Sequence, residues 1–183
     1  ISQRGLFDHL EGGFFRYCID QDWNIPHFEK MLYDNAQLIS VFSISDFLNK
    51  ATKNELLVNQ TINYWLELSE KNHHLFPSSV DADNKDGEGA YYVFKKSEIH
   101  ENLNEEEQNY CKSYFNMTQD MLWENNWHMH RIIYDNSEKG KRIFSKLGQI
   151  RENKSFPAID NKAICSWNCM MVIGLLDASI SYN

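Results

Sequence analysis

GGFFRYCIDQDWNIPHFEKMLYDNA, residues Gly12 to Ala36, runs from a glycine pair through a dense mixture of aromatics and charges into a helix-forming pattern. Pro26 fixes its own φ and pushes Asn24 and Ile25 towards extended geometry, so a helix can begin at or just after it. From Phe28 onward Phe28, Met31, Leu32, Leu38, Ile39 and Phe42 recur at helical spacing. On a wheel of ~100° per residue they fall within about 120°. The pattern predicts a first helix from Phe28 to Lys50, with His27 and Glu29 in its first turn. His27, Lys30 and Asp34 lie along one flank of the stripe, with Glu29 and Tyr33 opposite. Lys30 and Asp34, four apart, can pair. Loops held on a rigid scaffold carry function disproportionately, so this loop-to-helix passage is a site candidate. The plain alternative is a well-capped helix with a solvated polar face.

Outward from this stretch the pattern stays helical. Asn54 to Asn72 carries Leu57, Ile62, Trp65, Leu66 and Leu68 as a buried set, and the short link predicts an antiparallel hairpin with the first helix. His73 and His74 close the second helix, where polar or cationic groups suit the negative end of the dipole. Phe76 to Gly89 is turn-rich and acidic. Its Asp81, Asp83, Asp86 and Glu88 invite a calcium reading, but Lys85, Asp86 and Tyr92 occupy positions that the EF-hand template gives to other residues. Ala90 to Phe94 predicts a short β element. Ser97 reads as the cap of a small helix, and Glu105 to Tyr114 as another. Thr118 to Ile133 forms a second knot of Trp123, Glu124, Trp127, His128 and His130. Its His-x-His offers only two ligand candidates, so no metal is assigned. Ser137 to Asn153 reads as a basic amphipathic helix whose Lys139, Lys141, Arg142, Lys146 and Arg151 form a solvated surface, and Asp160-Asn161-Lys162 as the cap of a last helix reaching Ile180. The expected class is all-α, in antiparallel helical hairpins, as one domain over residues 1–183.

Length and composition agree. A chain of 183 residues, 42% hydrophobic, can bury one real core. No run of about 18 apolar residues appears, so no membrane span is expected. The charge of −8 and the absence of a basic stripe argue against nucleic acid or an anionic membrane as partner. The chain opens Ile-Ser-Gln-Arg, without an initiator Met or signal segment, and is expected to begin inside a longer protein. Cys18, Cys111, Cys165 and Cys169 include no CxxC pair, and reduced, mostly buried thiols in a cytoplasmic protein are expected. No cofactor is expected.

Three stretches also resemble one family. EGGFFRYCIDQDWNIPHFEKMLYDNAQLI, FPSSVDADNKDGEGAYYVF (Phe76 to Phe94) and AIDNKAICSWNCMMV (Ala158 to Val172) are similar, in this order, to motifs of the thioredoxin-domain-containing family related to spermatogenesis-associated proteins. The resemblance implies the first half of an α/α toroid like those of six-hairpin glycosidases and N-acylglucosamine 2-epimerases. The family's thioredoxin-like part is absent from this sequence. Glu11, Phe15 and Cys169 stand where the family commonly has Gly, His and Gly.

The implied chemistry is carbohydrate-directed: an epimerase, isomerase or glycosidase, or a non-catalytic sugar-binding or scaffold domain that has lost turnover. Aromatics stack on the apolar faces of sugars while carboxylates, amides and Arg hold hydroxyls. The catalytic candidates are His27, Glu29, Asp81 and Asp83: a histidine for proton transfer, or paired carboxylates for glycoside cleavage. Candidate substrate-binding residues are Arg16, Tyr17, Asp20, Lys30, Tyr33 and Asp34, joined by Trp123, Glu124, Trp167 and Asn168. A half-toroid should expose an apolar face at Met170, Val172, Ile173 and Leu176, to be covered by the missing half or by a second copy.

Overall fold

The computed structural model describes residues 2–50, 54–119, 122–131, 133 and 135–182. These are mostly helical, with short strands of two residues each. In chain order the elements are β1 (Lys30–Met31), α1 (Leu32–Leu48), α2 (Glu55–Glu70), β2 (Ser79–Val80), β3 (Asp83–Asn84), β4 (Gly87–Glu88) and β5 (Phe94–Lys95). Then come α3 (Lys96–Asn102), α4 (Glu105–Phe115), β6 (Leu122–Trp123), β7 (Asn126–Trp127), α5 (Glu138–Glu152), β8 (Ile159–Asp160) and α6 (Cys165–Tyr182).

The first helix begins four residues later than its apolar spacing predicts. Phe28 takes a positive φ of 60°, which no helix accepts, and Lys30–Met31 are drawn into a sheet. That sheet has the order β1-β2-β8, antiparallel throughout, with Lys30 opposite Val80 and Ser79 opposite Asp160. Each of its strands comes from a different one of the three motif stretches. Asp160 is therefore a strand residue rather than the cap of α6, which starts at Cys165. The β element expected at Ala90 to Phe94 lies one step later, at β5, which pairs with β7 in the order β5-β7-β6. Ser97 lies inside α3 rather than at its cap; there the Glu98 carboxylate accepts from the Lys95 backbone N–H.

Two asparagines tie motif loops to helices in the same way. Asn35 on α1 accepts from Phe14 N at 2.6 Å and donates to Phe14 O at 2.9 Å. Asn168 on α6 accepts from Phe76 N and donates to Phe76 O, both at 3.0 Å. Each amide imitates a strand edge and satisfies backbone groups that would otherwise be stranded indoors.

The helices pack differently from a simple hairpin series. α2 packs on α1 as expected, but the principal partner of α1 is α6. Gly174 lies against Ala36, the Ser40 hydroxyl donates to Asp177, and Tyr182 donates to Asp46 at 3.0 Å. Both residue series rise together, so α1 and α6 run parallel. A Cβ on Gly174 would sit 2.7 Å from the Ala36 carbonyl oxygen, so this glycine permits the close approach.

Two apolar clusters result. One joins the N-terminal loops, α1, α2, residues 80–93 and α6, with Phe7, Phe14, Phe28, Ile39 and Trp65 at its centre. The other joins β5, β7 and α3 to α5, around Phe94, Phe115, Met117, Ile143 and Leu147. The predicted apolar face is present: Met170, Val172, Ile173 and Leu176 are exposed, and Val41, Ile44, Phe47 and Leu48 add exposed apolar surface on α1. All four cysteines are free thiols, but only Cys111 is buried; Cys165 and Cys169 are exposed on α6, contrary to the expectation of mostly buried thiols. Among the described residues no helix is long and apolar enough to cross a membrane.

Candidate functional site

The loop before α1 doubles back on itself. Arg16 N donates to Glu29 O and His27 N to Tyr17 O, with Cys18 bridged to Pro26. This short ladder places Arg16 beside Glu29, and the guanidinium reaches the Glu29 carboxylate at 3.2 Å. The Tyr33 phenol and the Glu29 carboxylate both hold the Arg16 charge in place. The first turn of α1 then adds Tyr33 and Asp34, and the first turn of α6 adds Trp167, whose ring meets Tyr33 edge-on at 4.8 Å. Burial raises the Asp34 carboxyl; Arg16 opposes the shift and Glu29 adds to it. Asp34 Oδ2 is buried and makes no hydrogen bond. Arg16, Glu29, Tyr33, Asp34 and Trp167 thus form one group, contributed by the first and third motif stretches.

His27 lies beside a second group. It stacks on Tyr17 at 4.9 Å, and its Nε2 is 3.9 Å from Glu88 Oε1. Glu88 stands opposite Asp83 across the β3–β4 hairpin, so the histidine reaches the acidic loop of the second motif. His27 precedes α1 rather than lying in its first turn, because the helix starts only at Leu32. Asp81 turns its carboxylate back to accept from Asp83 N at 3.3 Å. Trp123 packs against Phe28 at 5.1 Å and, with Glu124 and Glu88, lines a hollow of about 180 Å³.

Three candidates have structural duties. Asp20 accepts from the backbone N–H groups of Asn24 and Ile25, closing its own loop. Asn168 is the clasp on Phe76. Lys30 is buried at 0% exposure and does not pair with Asp34; its Nζ donates to Asp8 Oδ2 and to Gly12 O, both at 2.8 Å. The pairing with Asp34 fails because Lys30 is on a strand, where the i, i+4 neighbourhood of a helix does not exist.

Sequence reasoning missed the most buried charges. Asp8 takes two bonds from Arg151 Nη1, at 2.7 and 2.9 Å, in addition to that from Lys30, and Glu11 Oε2 lies 3.8 Å from the same Arg151 nitrogen. Burial alone would raise the Asp8 carboxyl, but the Arg151 and Lys30 charges outweigh it and hold it well below the usual carboxylate range. Burial raises Glu11, which accepts from the Tyr91 hydroxyl. This quartet stands at the seam of the two apolar clusters, where Arg151 lies against Tyr92 and Phe94, and it corrects the reading of Arg151 as part of a solvated basic surface. A signal was available: Arg151 continues the spacing Ile143, Leu147, which is the buried stripe of α5.

His128 and His130 serve the same seam. Their Nε2 atoms pair with the carbonyls of Gly5 at 2.8 Å and Asn24 at 2.9 Å. Burial lowers His128 to about 3. No group of three or more His, Cys, Asp or Glu that could hold a metal occurs among the described residues.

What emerges is a mostly helical protein whose three motif loops gather aromatics and carboxylates beside a buried ionic seam. No family model matches the chain. It is 32% identical to spermatogenesis-associated protein 20 of Rattus norvegicus over an alignment that covers 95% of this chain and 27% of that protein. The Mus musculus protein of the same name is 29% identical, again over 95% of this chain and 27% of its own length. An uncharacterised protein of Caenorhabditis elegans is 26% identical over 97% of this chain and 30% of its own length. These relatives support the family that the three motifs resemble. The chain spans less than a third of the length of each.

Proposed function

We propose that this chain is part of a carbohydrate-active enzyme-like domain, one arc of an α/α toroid, and that Arg16, Glu29, Tyr33, Asp34 and Trp167 form its saccharide-contacting surface. The observation that carries the reading is the convergence of these five side chains from two distant motif stretches. Tyr33 and Trp167 offer rings to the C–H face of a sugar. Glu29 sits in an ion pair with Arg16, while burial pushes Asp34 towards the protonated form. Two carboxylates in contrasting surroundings are the usual division between a group that stays charged and a group that donates a proton. His27 and Asp83, meeting at Glu88, extend the surface as further polar contacts. The parallel run of α1 and α6 suits a toroid, because helices of one layer in a ring of hairpins all point the same way.

The reading is tested by titrating a panel of mono- and disaccharides into the parent protein, with Trp167→Ala and Asp34→Asn beside it. Trp167→Ala should stay folded and lose saccharide affinity; Asp34→Asn should keep affinity and lose turnover. Saccharide binding that survives Trp167→Ala unchanged, or no binding to any sugar, rejects the assignment. The exposed apolar stripes of α1 and α6 favour a second reading, a scaffold domain of a larger assembly that binds sugar without turning it over. In that case affinity is present and turnover is absent in the unmutated protein.

A further inference from the structure

Three buried histidines pin one end of the first motif loop, and the proposed saccharide surface does not use them. His9, His128 and His130 are each at most 3% exposed. The Nε2 of His9 pairs with the Arg4 carbonyl at 3.0 Å, that of His128 with Gly5 at 2.8 Å and that of His130 with Asn24 at 2.9 Å. These carbonyls belong to two segments, the N-terminal run 3–5 and the loop tip 23–24. The two segments are also tied to each other: Gly5 N donates to Trp23 O at 2.8 Å, and Arg4 Nη1 to Asn24 Oδ1 at 3.2 Å. Arg131 N completes the set by donating to Gln3 O at 3.2 Å. The fit is close, since a Cβ on Gly5 would stand 1.8 Å from Asn24 O. Trp23 is held at a φ of 61°, which costs a bulky residue free energy that is recovered when the tip is free.

The chemistry of the imidazole ring decides what acid does to this clasp. A carbonyl oxygen only accepts, so each Nε2 carries the proton and each Nδ1 of the neutral ring is bare. Nδ1 of His9 and of His128 is buried without a hydrogen-bond partner, and that of His130 faces the Asn116 amide nitrogen, itself a donor, at 3.5 Å. A second proton on any of the three rings would sit in a dry place with no acceptor. Burial is the main cause that keeps all three neutral. Of the charges around them, Asp8 favours a proton on His9 and His128, and Asp20 one on His130. Arg131 opposes it at His9 and Arg4 at His130, and the rings oppose one another. In water each ring takes the proton readily.

We infer that His9, His128 and His130 form an acid-released clasp: near pH 5 the run 3–5 and the loop tip come free of the protein body while the helices stay folded. Release uncovers the edges of Phe15 and Phe28, against which His128 packs at 5.7 and 5.2 Å. The tip itself carries exposed Ile19 and Trp23, so acid turns this end of the molecule into a mobile apolar segment. Sugar binding at Arg16 and Glu29 is not required for the release.

The test is hydrogen exchange read by mass spectrometry at pH 7.5 and pH 5.0 on the unmutated protein, corrected for the intrinsic pH dependence of exchange. An exposed imidazole titrates at about 6.5, so at pH 5 each freed ring favours the open form by about 30-fold. With His9 held at about 4 and His128 at about 3 when closed, the pair together gives about 10³-fold. Protection in peptides covering residues 3–5 and 19–25 should fall by at least about that factor and return on neutralisation. Residues 57–68 of α2 should still be protected at pH 5. His9→Gln with His128→Gln keeps a side-chain N–H for each carbonyl and cannot titrate, so the fall should shrink to about 30-fold or less, the share of His130. His128→Gln alone should lessen it by about 30-fold, which serves where the double variant does not fold. Unchanged protection at pH 5 overturns the inference. So does one shared protection for the clasp and α2 at both pH values, which marks global unfolding, or a fall that persists undiminished in the folded Gln variants.

Discussion

Removing Asp8 tests the energetic importance of the seam most directly. Its carboxylate accepts from Arg151 at 2.7 Å and from Lys30 at 2.8 Å, and all three side chains are at most 1% exposed. Asp8→Ala leaves two buried cations with only the more distant Glu11 for compensation. Deleting one partner of a buried pair costs about 3–5 kcal/mol, because the survivor is left charged and dry. With two survivors, the expected loss is at the top of that range, about 5 kcal/mol. For a chain of this size 1 kcal/mol shifts the midpoint by about 2–4 °C, so Tm should fall by about 10–20 °C. Urea and thermal unfolding followed by circular dichroism at neutral pH give both numbers. The sign of the pH dependence is fixed as well. A carboxyl depressed in the folded state stabilises fully above its unfolded value of about 3.9 and progressively less as pH falls towards its folded value. The gap between the parent and Asp8→Asn should therefore be constant near neutrality and narrow below about pH 4. A loss under about 1 kcal/mol, the scale of surface substitutions, would falsify the account of the seam.

Other consequences can be measured in the same way. Burial lowers His9 to about 4 and His128 to about 3, so both are neutral when folded and bind a proton first when unfolded. Stability should be full above about pH 6.5 and decline as pH falls from there to about 3, with His128→Gln removing part of that slope in urea titrations. Gly174→Val should lower Tm despite its better helix propensity, because its Cβ meets the Ala36 carbonyl oxygen at 2.7 Å; an unchanged Tm would mean that α1 and α6 do not pack this closely. Asn168→Ala should cost about 2–4 kcal/mol by stranding both backbone groups of Phe76. Ile173→Lys with Leu176→Glu should reduce self-association of the isolated chain, seen by sedimentation, while leaving its unfolding midpoint within about 0.5 kcal/mol.

Periodicity marks the helical bodies well, because a long apolar stripe leaves few alternatives. α2 and α4 each fall within two residues of their expected ends. The start of α1 is missed because Lys30 and Met31 obey a distant strand, Ser79–Val80, that no local window contains. The same blindness hides Asp8 and Arg151, since a charge reads as solvated until its partner is known. Arg16, Glu29 and Tyr33 are legible together because they lie within one motif, and Trp167 joins them through the motif resemblance rather than through spacing. The Lys30 assignment as a ligand group fails for the converse reason: a lysine next to aromatics looks available in a sequence, and its burial is decided elsewhere.

The bond from Arg151 to Asp8 closes a loop of 143 residues, and that from Ser40 to Asp177 one of 137. During synthesis the N-terminal carboxylate must wait for its guanidinium. At about 5–20 residues per second, Asp8 exists for about 7–30 seconds before Arg151 is made. In that interval the first motif loop carries charges that no dry interior accepts, so it stays wet and open. Helices α5 and α6 therefore act as the latch: nascent polypeptides stalled before Arg151 should remain protease-sensitive at residues 5–30, and those extended past α6 should not.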